Sequence, residues 1–434
     1  MASKSISSIK KSVLEKIKPS KEEIDYISKI SLEVFEKLKR KIEKSGLEAD
    51  IFVGGSVAKD TLVKNKQYDV DVFIRFWKEK DDRKISHLTE KILINLFGDK
   101  VKRIRGSRDY FSIYFGENVV VEIIPVIKIL RPDKMENVTD LSYFHVNYIA
   151  KKIKRKKLQD EVRLAKVFCA AQRCYGAESY IKGFSGYSLE LLISYYGNFM
   201  NLIRNLAKNA KDEKIVIDEG KKYKNKRDIF INVNSSKLQS PIILIDPTYE
   251  QRNALAALSE ETFERLKKAC RDFLKNPSEN FFEEKVKDIN QVRENAKRKG
   301  NEFVLIEVHT EKQEGDIAGS KLLKFYNFFE KEISRFFKVK DKGFNYNDKQ
   351  AARYYFVVES YEEIEFKGPL VEDKKNNELF KKVHAKTFVK NGRLYAKEKV
   401  EETIQSFFEK WKRDNKKQLH EMSVKKIEII EDLV

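Results

Sequence analysis

The chain has 434 residues, room for about three domains at 100–200 residues each. It is 41% hydrophobic and 12% aromatic, with only 7 prolines and 17 glycines, which excludes a largely disordered or low-complexity protein. A formal net charge of +20 calls for a polyanionic partner, with nucleic acid ahead of an anionic membrane.

Nothing approaches the ~18 apolar residues of a membrane span. The first residues lack the continuous apolar core of a secretion signal. The expected location is the cytoplasm, with no membrane partner. The three cysteines, Cys169, Cys174 and Cys270, have no repeating spacing and read as packed, reduced thiols.

The first element is a helix opened by the capping-box spacing Ser20-Lys-Glu-Glu23. Its apolar residues Ile27, Ile30, Val34, Phe35, Leu38 and Ile42 recur at helical intervals, and Ser45-Gly46 ends it. A short strand at 51–53 leads into Gly54-Gly55-Ser56 and a further helical turn. A long strand is predicted over 68–76, an amphipathic helix over 84–97, and strands over 101–106, 109–115 and 119–130. This mixed α/β domain spans 1–135. A mostly helical domain follows over 136–275, with helices at 160–172 and 187–202, a pair of strands at 229–233 and 242–245, and a helix beginning at Ser259. Asn276-Pro277-Ser278 is a plausible hinge. The third domain, 276–434, reads as α+β: strands at 303–308 and 353–359, a helix at 320–337, a hairpin across Asn391-Gly392 and a helix over 400–411.

Chemistry concentrates in the first domain. Alternate strand residues share a face, so Asp69 and Asp71 lie on one side, with Cα atoms roughly 6.5–7 Å apart. Two acids on one strand face are costly unless a cation joins them. Carboxylates suit magnesium, and this separation suits one ion or two bridged ions. Glu122 is the only charged residue between Val119 and Ile127. If its strand neighbours that of Asp69, three carboxylates meet. Upstream, the turn at Gly54, Gly55 and Ser56 offers backbone amides to a triphosphate, with Lys59 one turn on. Each piece alone is ordinary: glycine turns, strand-end acids and single buried glutamates abound. The conjunction points to metal-dependent nucleotidyl transfer.

These residues resemble the DNA polymerase β nucleotidyltransferase superfamily. Tyr175-Gly-Ala-Glu178, Gly183-Phe-Ser-Gly-Tyr-Ser-Leu-Glu-Leu-Leu192, Asp246-Pro247 leading to Arg252-Asn253-Ala254, and the phenylalanine-rich stretch Phe273–Phe282 are similar to the archaeal, class I CCA-adding enzymes. The likeness is dense between residues 50 and 285. It implies a polymerase β-like palm, a mostly helical nucleotide-recognition domain and a C-terminal α+β RNA-binding domain. It implies addition of C, C and A to the 3′ end of tRNA from CTP and ATP without a nucleic-acid template. It also implies two Mg2+ ions on Asp69, Asp71 and Glu122, and triphosphate contacts at Ser56 and Lys59. His145, Lys166 and Tyr175 match nucleotide-contacting positions, and Arg252 matches an arginine that helps choose cytosine or adenine. Two departures stand out: the family usually has aspartate at Glu122, and often arginine at Lys59. The first bears on the general-base role more than on metal binding. Without the likeness, His145 reads as a core histidine, Lys166 as a helix-surface lysine, Tyr175 as a packing tyrosine and Arg252 as a salt-bridge residue. A homodimer is left open. The alternatives are a poly(A) polymerase or other RNA-tailing transferase, and an inactive RNA-binding protein with the same fold.

RNA contacts are expected from basic stretches interleaved with aromatics, Arg335–Lys340, Lys342–Tyr346 and Lys390–Tyr395, through their loop and hairpin residues and not the phenylalanines of the core helix over 320–337; the basic run Lys151–Lys157 reads equally as an RNA contact or a solvated surface.

Overall fold

The computed structural model describes residues 5–77, 79, 81–210, 213–285, 287–347, 349–399 and 402–431; the side chains of Arg155 and Lys156, within the basic run at 151–157, also lie outside it. The chain divides into two compact units, Met1–Lys285 and Val286–Val434.

The first unit has two principal cores. One is a five-stranded sheet of β1 (Ala49–Val53), β2 (Tyr68–Phe76), β3 (Val101–Ile104), β4 (Tyr110–Phe115) and β5 (Val119–Ile127), in the order β1-β2-β5-β4-β3. Only the central β2–β5 pair is parallel. On one face lie α2 (Lys21–Ser45) and α4 (Asp82–Phe97), preceded in the chain by α1 (Ile6–Ile17). The capping box at Ser20 forms: its hydroxyl accepts from the Glu23 N–H, and the Glu23 carboxylate accepts from the Ser20 N–H. Gly46, at φ +68°, ends α2. Ile27, Ile30, Val34, Leu38 and Ile42 are buried against Val70, Val72 and Ile74 of β2. Alternation then sends Asp69 and Asp71 to the opposite face. The strand expected to reach residue 130 stops at Ile127, and Leu130 is 87% exposed.

The second core gathers α5 (Ser142–Lys156), α6 (Gln159–Ala171), α7 (Gly186–Tyr196), α8 (Phe199–Lys208) and α10 (Glu260–Lys275), together with α1. A small sheet of β6 (Ile215–Ile217), β7 (Ile242–Asp246) and β8 (Tyr249–Asn253) flanks it, with α9 (Lys226–Asn232) alongside. Two expectations fail here. The helix expected over 187–202 is two helices. Gly197 takes φ +82° and closes α7, and the Asn198 side chain accepts from the Asn201 N–H to open α8. Residues 229–233 are not a strand. Asn225 caps α9, and Ile229 and Val233, four apart, both face Ile243 and Ile245. The strand partners of β7 are β6 and β8 instead. Beyond α10, Phe281 and Phe282 pack on Phe168 and Phe273. The three cysteines are buried and free.

The second unit is built on an antiparallel sheet ordered β10-β11-β9-β15: β9 (Glu302–Thr310), β10 (Phe337–Tyr346), β11 (Ala351–Ser360) and β15 (Val424–Ile429). One face packs on α12 (Asp316–Ile333) and α14 (Ile404–Asp414) around Phe325, Phe329 and Trp411. The other face receives α11 (Ile289–Arg298). A smaller sheet, β12 (Glu363–Leu370), β14 (Arg393–Lys399) and β13 (Thr387–Lys390), carries α13 (Lys374–Val383). The expected hairpin is present, with Asn391 at φ +50° and Gly392 at φ +70° between paired Lys390 and Arg393. The short α15 (Lys416–Glu421) precedes β15. Val400, the expected start of the last long helix, lies outside the described residues; that helix begins at Ile404. Several aromatics expected to meet RNA are used in packing. Phe344 packs on Tyr326 and Tyr354, and the Tyr346 hydroxyl donates to the Gly315 carbonyl, whereas Phe337, expected in the core, is fully buried.

Among the described residues no helix is long and apolar enough to cross a membrane.

Candidate active site

The parallel ladder sets Asp71 directly opposite Glu122, and Asp69 opposite Val120. On β4, Ser112 pairs with Glu122 and closes that side. Asp69 keeps access to solvent, whereas Asp71 and Glu122 are half-buried.

The acids raise one another's pKa. Loss of water and the Asp71 charge push Asp69 up to about 6. Loss of water, then Asp71 and Asp69, push Glu122 up to about 8. Burial also raises Asp71, against the opposing pull of Lys59 and Lys166. A set of acids left this uncomfortable fits a site for hard divalent cations, for which carboxylate oxygens are the natural ligands. Among the described residues, one set of three candidate ligands has all its donor atoms within 4.8 Å: Glu307, His309 and Glu428 in the second unit. That set already has counter-cations, since Arg353 donates to Glu307 at 2.8 Å and Lys426 to Glu428 at 2.6 Å. The donor atoms of Asp69, Asp71 and Glu122 do not all fall within that distance of one another.

The glycine turn is shaped around this set. The Gly54 N–H donates to the Asp71 carbonyl at 2.8 Å, fastening the turn to β2. Gly55 sits at φ +60°, and a Cβ placed there would stand 1.7 Å from Asp71 Oδ2. No side chain fits between turn and carboxylate. The turn runs into α3 (Gly55–Ala58), which carries Ser56 and leads to Lys59.

Lys59 does not stand alone. Its Nζ lies 2.6 Å from Oε2 of Glu190, a fully buried residue of α7. The other Glu190 oxygen accepts from Thr61 Oγ1 at 3.2 Å and lies 3.5 Å from Lys166 Nζ. Lys166 also donates to the Thr61 hydroxyl and carbonyl. Burial lowers the Lys166 pKa, and Glu190 opposes that fall. Tyr175 is close by. An added Cβ at Gly186 would touch both its hydroxyl, at 3.1 Å, and Lys166. Arg163 of α6 locks the loop between α3 and β2, donating to Asp60 at 2.6 Å and to the Leu62 carbonyl at 2.8 Å.

His145 and Arg252 meet at Asp246, the buried last residue of β7. His145 Nε2 is 2.9 Å and Arg252 2.6 Å from Asp246 Oδ2. The Tyr187 hydroxyl and the Thr248 N–H and hydroxyl donate to Asp246 Oδ1. Burial alone would raise the Asp246 pKa; the hydrogen bonds from His145 and Thr248 and the charge of Arg252 outweigh it and hold the carboxyl far below its ordinary range. Burial pushes His145 the other way, below its usual value, more than Asp246 restores it. The imidazole is therefore neutral near pH 7. It donates through Nε2 and presents Nδ1 as an acceptor. It stacks on Tyr187 with ring centroids 4.1 Å apart.

The structure therefore groups the residues singled out in the sequence into three adjoining clusters: Asp69, Asp71 and Glu122 by the Gly55–Ser56 turn; Lys59, Lys166 and Tyr175; and His145 with Arg252. Sequence reasoning missed the two acids that organise the last two clusters, and Thr61 and Tyr187 with them. Glu190 is a lone acid in the apolar run Leu189–Ile193, the same signal that singled out Glu122. Asp246 was legible only as a strand-ending part of the Asp246-Pro247 segment that carries the family resemblance, with no role attached. A cavity of about 810 Å3 lies in the second unit between α14, α15 and β15 and contains none of these residues.

Comparison with known proteins agrees with this arrangement. A family model described as tRNA nucleotidyltransferase, second domain, matches residues 160–283, which include Lys166, Tyr175, Glu190, Asp246 and Arg252. The CCA-adding enzyme of Methanocaldococcus jannaschii is 29% identical over 401 residues, covering 90% of this chain and 87% of that protein. That of Saccharolobus islandicus is 31% identical over 304 residues, 68% of each chain. In fold, a Cid1 poly(U) polymerase structure with Mg and 3′-dATP bound superposes with a TM-score of 0.50 at 15% identity, over 64% of this chain and 98% of that one. Geometry, family model and relatives agree: this chain belongs to the CCA-adding enzymes, the tRNA nucleotidyltransferases.

Proposed function

We propose that this chain completes the 3′ end of tRNA by adding C, C and A from CTP and ATP without a nucleic-acid template, releasing pyrophosphate at each step. The observation that carries this reading is the in-register pair Asp71 and Glu122, with Asp69 beside them, facing a turn in which only glycine fits.

The tRNA 3′ hydroxyl attacks the α-phosphate, a P–O bond forms, and the bond to the β,γ-pyrophosphate breaks. Asp69, Asp71 and Glu122 would hold two Mg2+ ions, which when bound would supply Lewis acidity and charge neutralisation. The proton of the hydroxyl passes to a base, with Glu122 as the candidate among the three acids. Amides at Gly55 and Ser56, with Lys59 and Lys166, receive the triphosphate. Because Lys59 is already paired with Glu190, it meets phosphate as a held point charge, not as a free arm. Tyr175 approaches the same point beside Gly186 as Lys166 and lines the nucleotide site with it. His145 and Arg252, fixed on Asp246, offer one acceptor and a fork of donors to the base edge, the kind of pattern that distinguishes cytosine and adenine from the other bases. The second unit is the RNA-binding body, with the hairpin Lys390–Tyr395 as its candidate contact.

A tRNA transcript lacking its last three nucleotides tests the reading. Given CTP, ATP and Mg2+, the chain is expected to add three nucleotides and stop. An unlimited A tail would make it a tailing polymerase, and binding without incorporation would make it an inactive RNA-binding protein.

A further inference from the structure

We infer that the loop joining β6 to α9 is a docking surface for the phosphate backbone of the substrate RNA, beside the base-reading cluster; this rests on the reading that the chain extends tRNA. Between residues 221 and 227 the chain places five cations in seven positions: Lys221, Lys222, Lys224, Lys226 and Arg227. All five are exposed, and none forms an ion pair among the described residues. Elsewhere many surface cations are matched to acids, as Lys16 is to Glu279 and Arg103 to Glu90 and Asp109.

The acids around the loop do not cancel it. Asp218 turns inward to accept the Tyr223 N–H at 2.9 Å, and Glu219 is held by Ser194 and Lys152. With Glu219 matched to Lys152, five cations against Asp218, Asp228 and Glu250 leave a local charge of +2.

The loop is also held in place. The Tyr223 hydroxyl donates to the Glu250 carbonyl at 3.1 Å, and the Lys221 N–H to the Asp218 carbonyl at 3.2 Å. Gly220 lies so close to Pro247 that an added Cβ would stand 3.2 Å from its Cα. Asn225 caps α9. Pro247 adjoins Asp246, and Glu250 is two residues from Arg252. The row of cations is thus clamped to the hairpin that carries Asp246 and Arg252. Next along α9 come Phe230, 47% exposed, and Ile231, 69% exposed. A rigid row of unpaired cations beside an open aromatic suits a strand with both phosphates and stackable faces. It would fix the 3′ strand of the RNA while the base-reading cluster receives the nucleotide.

The test compares full-length wild type with a variant carrying Lys222→Gln, Lys224→Gln, Lys226→Gln and Arg227→Gln. A control variant loses the same four charges from α2, at Lys29, Lys39, Arg40 and Lys44. Binding of a tRNA transcript lacking CCA is measured from about 0.05 to 0.3 M salt. The loop variant is expected to bind about tenfold more weakly at 0.1 M salt. Its plot of log affinity against log salt should flatten by about 0.7–0.9 for each phosphate no longer neutralised. KM for RNA should rise while KM for CTP stays put, and restoring the charges as arginine should restore binding. The control should match wild type. A loop variant indistinguishable from wild type, or a control weakened equally, overturns the proposal. Wild type that neither binds nor extends tRNA would instead overturn the functional reading beneath it.

Discussion

Asp71 of β2 and Glu122 of β5 stand side by side across a parallel ladder, and the backbone carbonyl of that same Asp71 anchors the glycine turn. One residue therefore sets the spacing between the carboxylates and the glycine turn. Asp71→Ala is expected to abolish nucleotide addition while tRNA binding persists, as read by incorporation and filter-binding assays on one preparation. Wild-type turnover in that variant would remove Asp71 from the chemistry.

Gly55→Ala tests the fit of the turn. The new methyl would overlap Asp71 Oδ2, and φ +60° is unfavourable for alanine by about 1–2 kcal/mol. Displacing the carboxylate by about an ångström should cost on the order of 100-fold in kcat/KM. A variant with normal kinetics would show that the contact is not maintained in solution.

Stability should depend on pH in an unusual direction when divalent cations are chelated. Asp69 and Glu122 have raised pKa values, so between about pH 4 and 8 the folded state binds more protons than the unfolded one, and stability falls as pH rises. Melting in EDTA should therefore move to lower temperature from pH 5 to pH 8.5. Glu122→Gln should melt several degrees above wild type at pH 8.5, at about 2–4 °C per kcal/mol. Added Mg2+ should stabilise wild type most at the alkaline end. Because many groups titrate over this range, the diagnostic quantity is the difference between wild type and Glu122→Gln; equal slopes for the two proteins would contradict the assignment.

Asp246→Asn keeps shape but removes the charge that holds Arg252 and the Nε2–H tautomer of His145. Expected is a fall of about 10–100-fold in kcat/KM for CTP and ATP, or about 1.4–2.7 kcal/mol. Incorporation of UTP should rise relative to CTP. An equal loss for all four nucleotides would argue for a purely structural aspartate.

Glu190→Gln leaves Lys59 and Lys166 facing each other with no buried anion between them. Removing one partner of such a pair destabilises by about 3–5 kcal/mol. A second change, Lys166→Met, should recover part of the melting temperature without recovering KM for the triphosphate. Should both recover together, Glu190 acts only in folding.

The reach of the sequence tracks the range of the interactions. The first sheet and its acids were readable because strand alternation is local: Val70 and Val72 inward forces Asp69 and Asp71 outward. The capping box at Ser20 and the Asn391-Gly392 turn are local as well. The split at Gly197-Asn198 was hidden by the apolar run around it, and α9 by its β-branched residues. Asp246 and Glu190 act on partners up to 131 residues away, as from Glu190 to Lys59, and no spacing rule spans that distance. The likeness to a family located the partners but not the acids that join them.

The N-terminal helix adds a consequence for how the first unit can be divided. Ile9 and Val13 of α1 are buried with Ile149, Phe168 and Phe273, not with the sheet that follows α1 in the chain. Lys10 reaches Glu161 at 2.7 Å, and the Lys64 N–H donates to the Ile17 carbonyl. The polypeptide is thus stitched through the helical half before it enters the catalytic half. A scissor cut near residue 135 would tear that seam open, leaving a catalytic fragment with a greasy tail and a helical fragment with a hole.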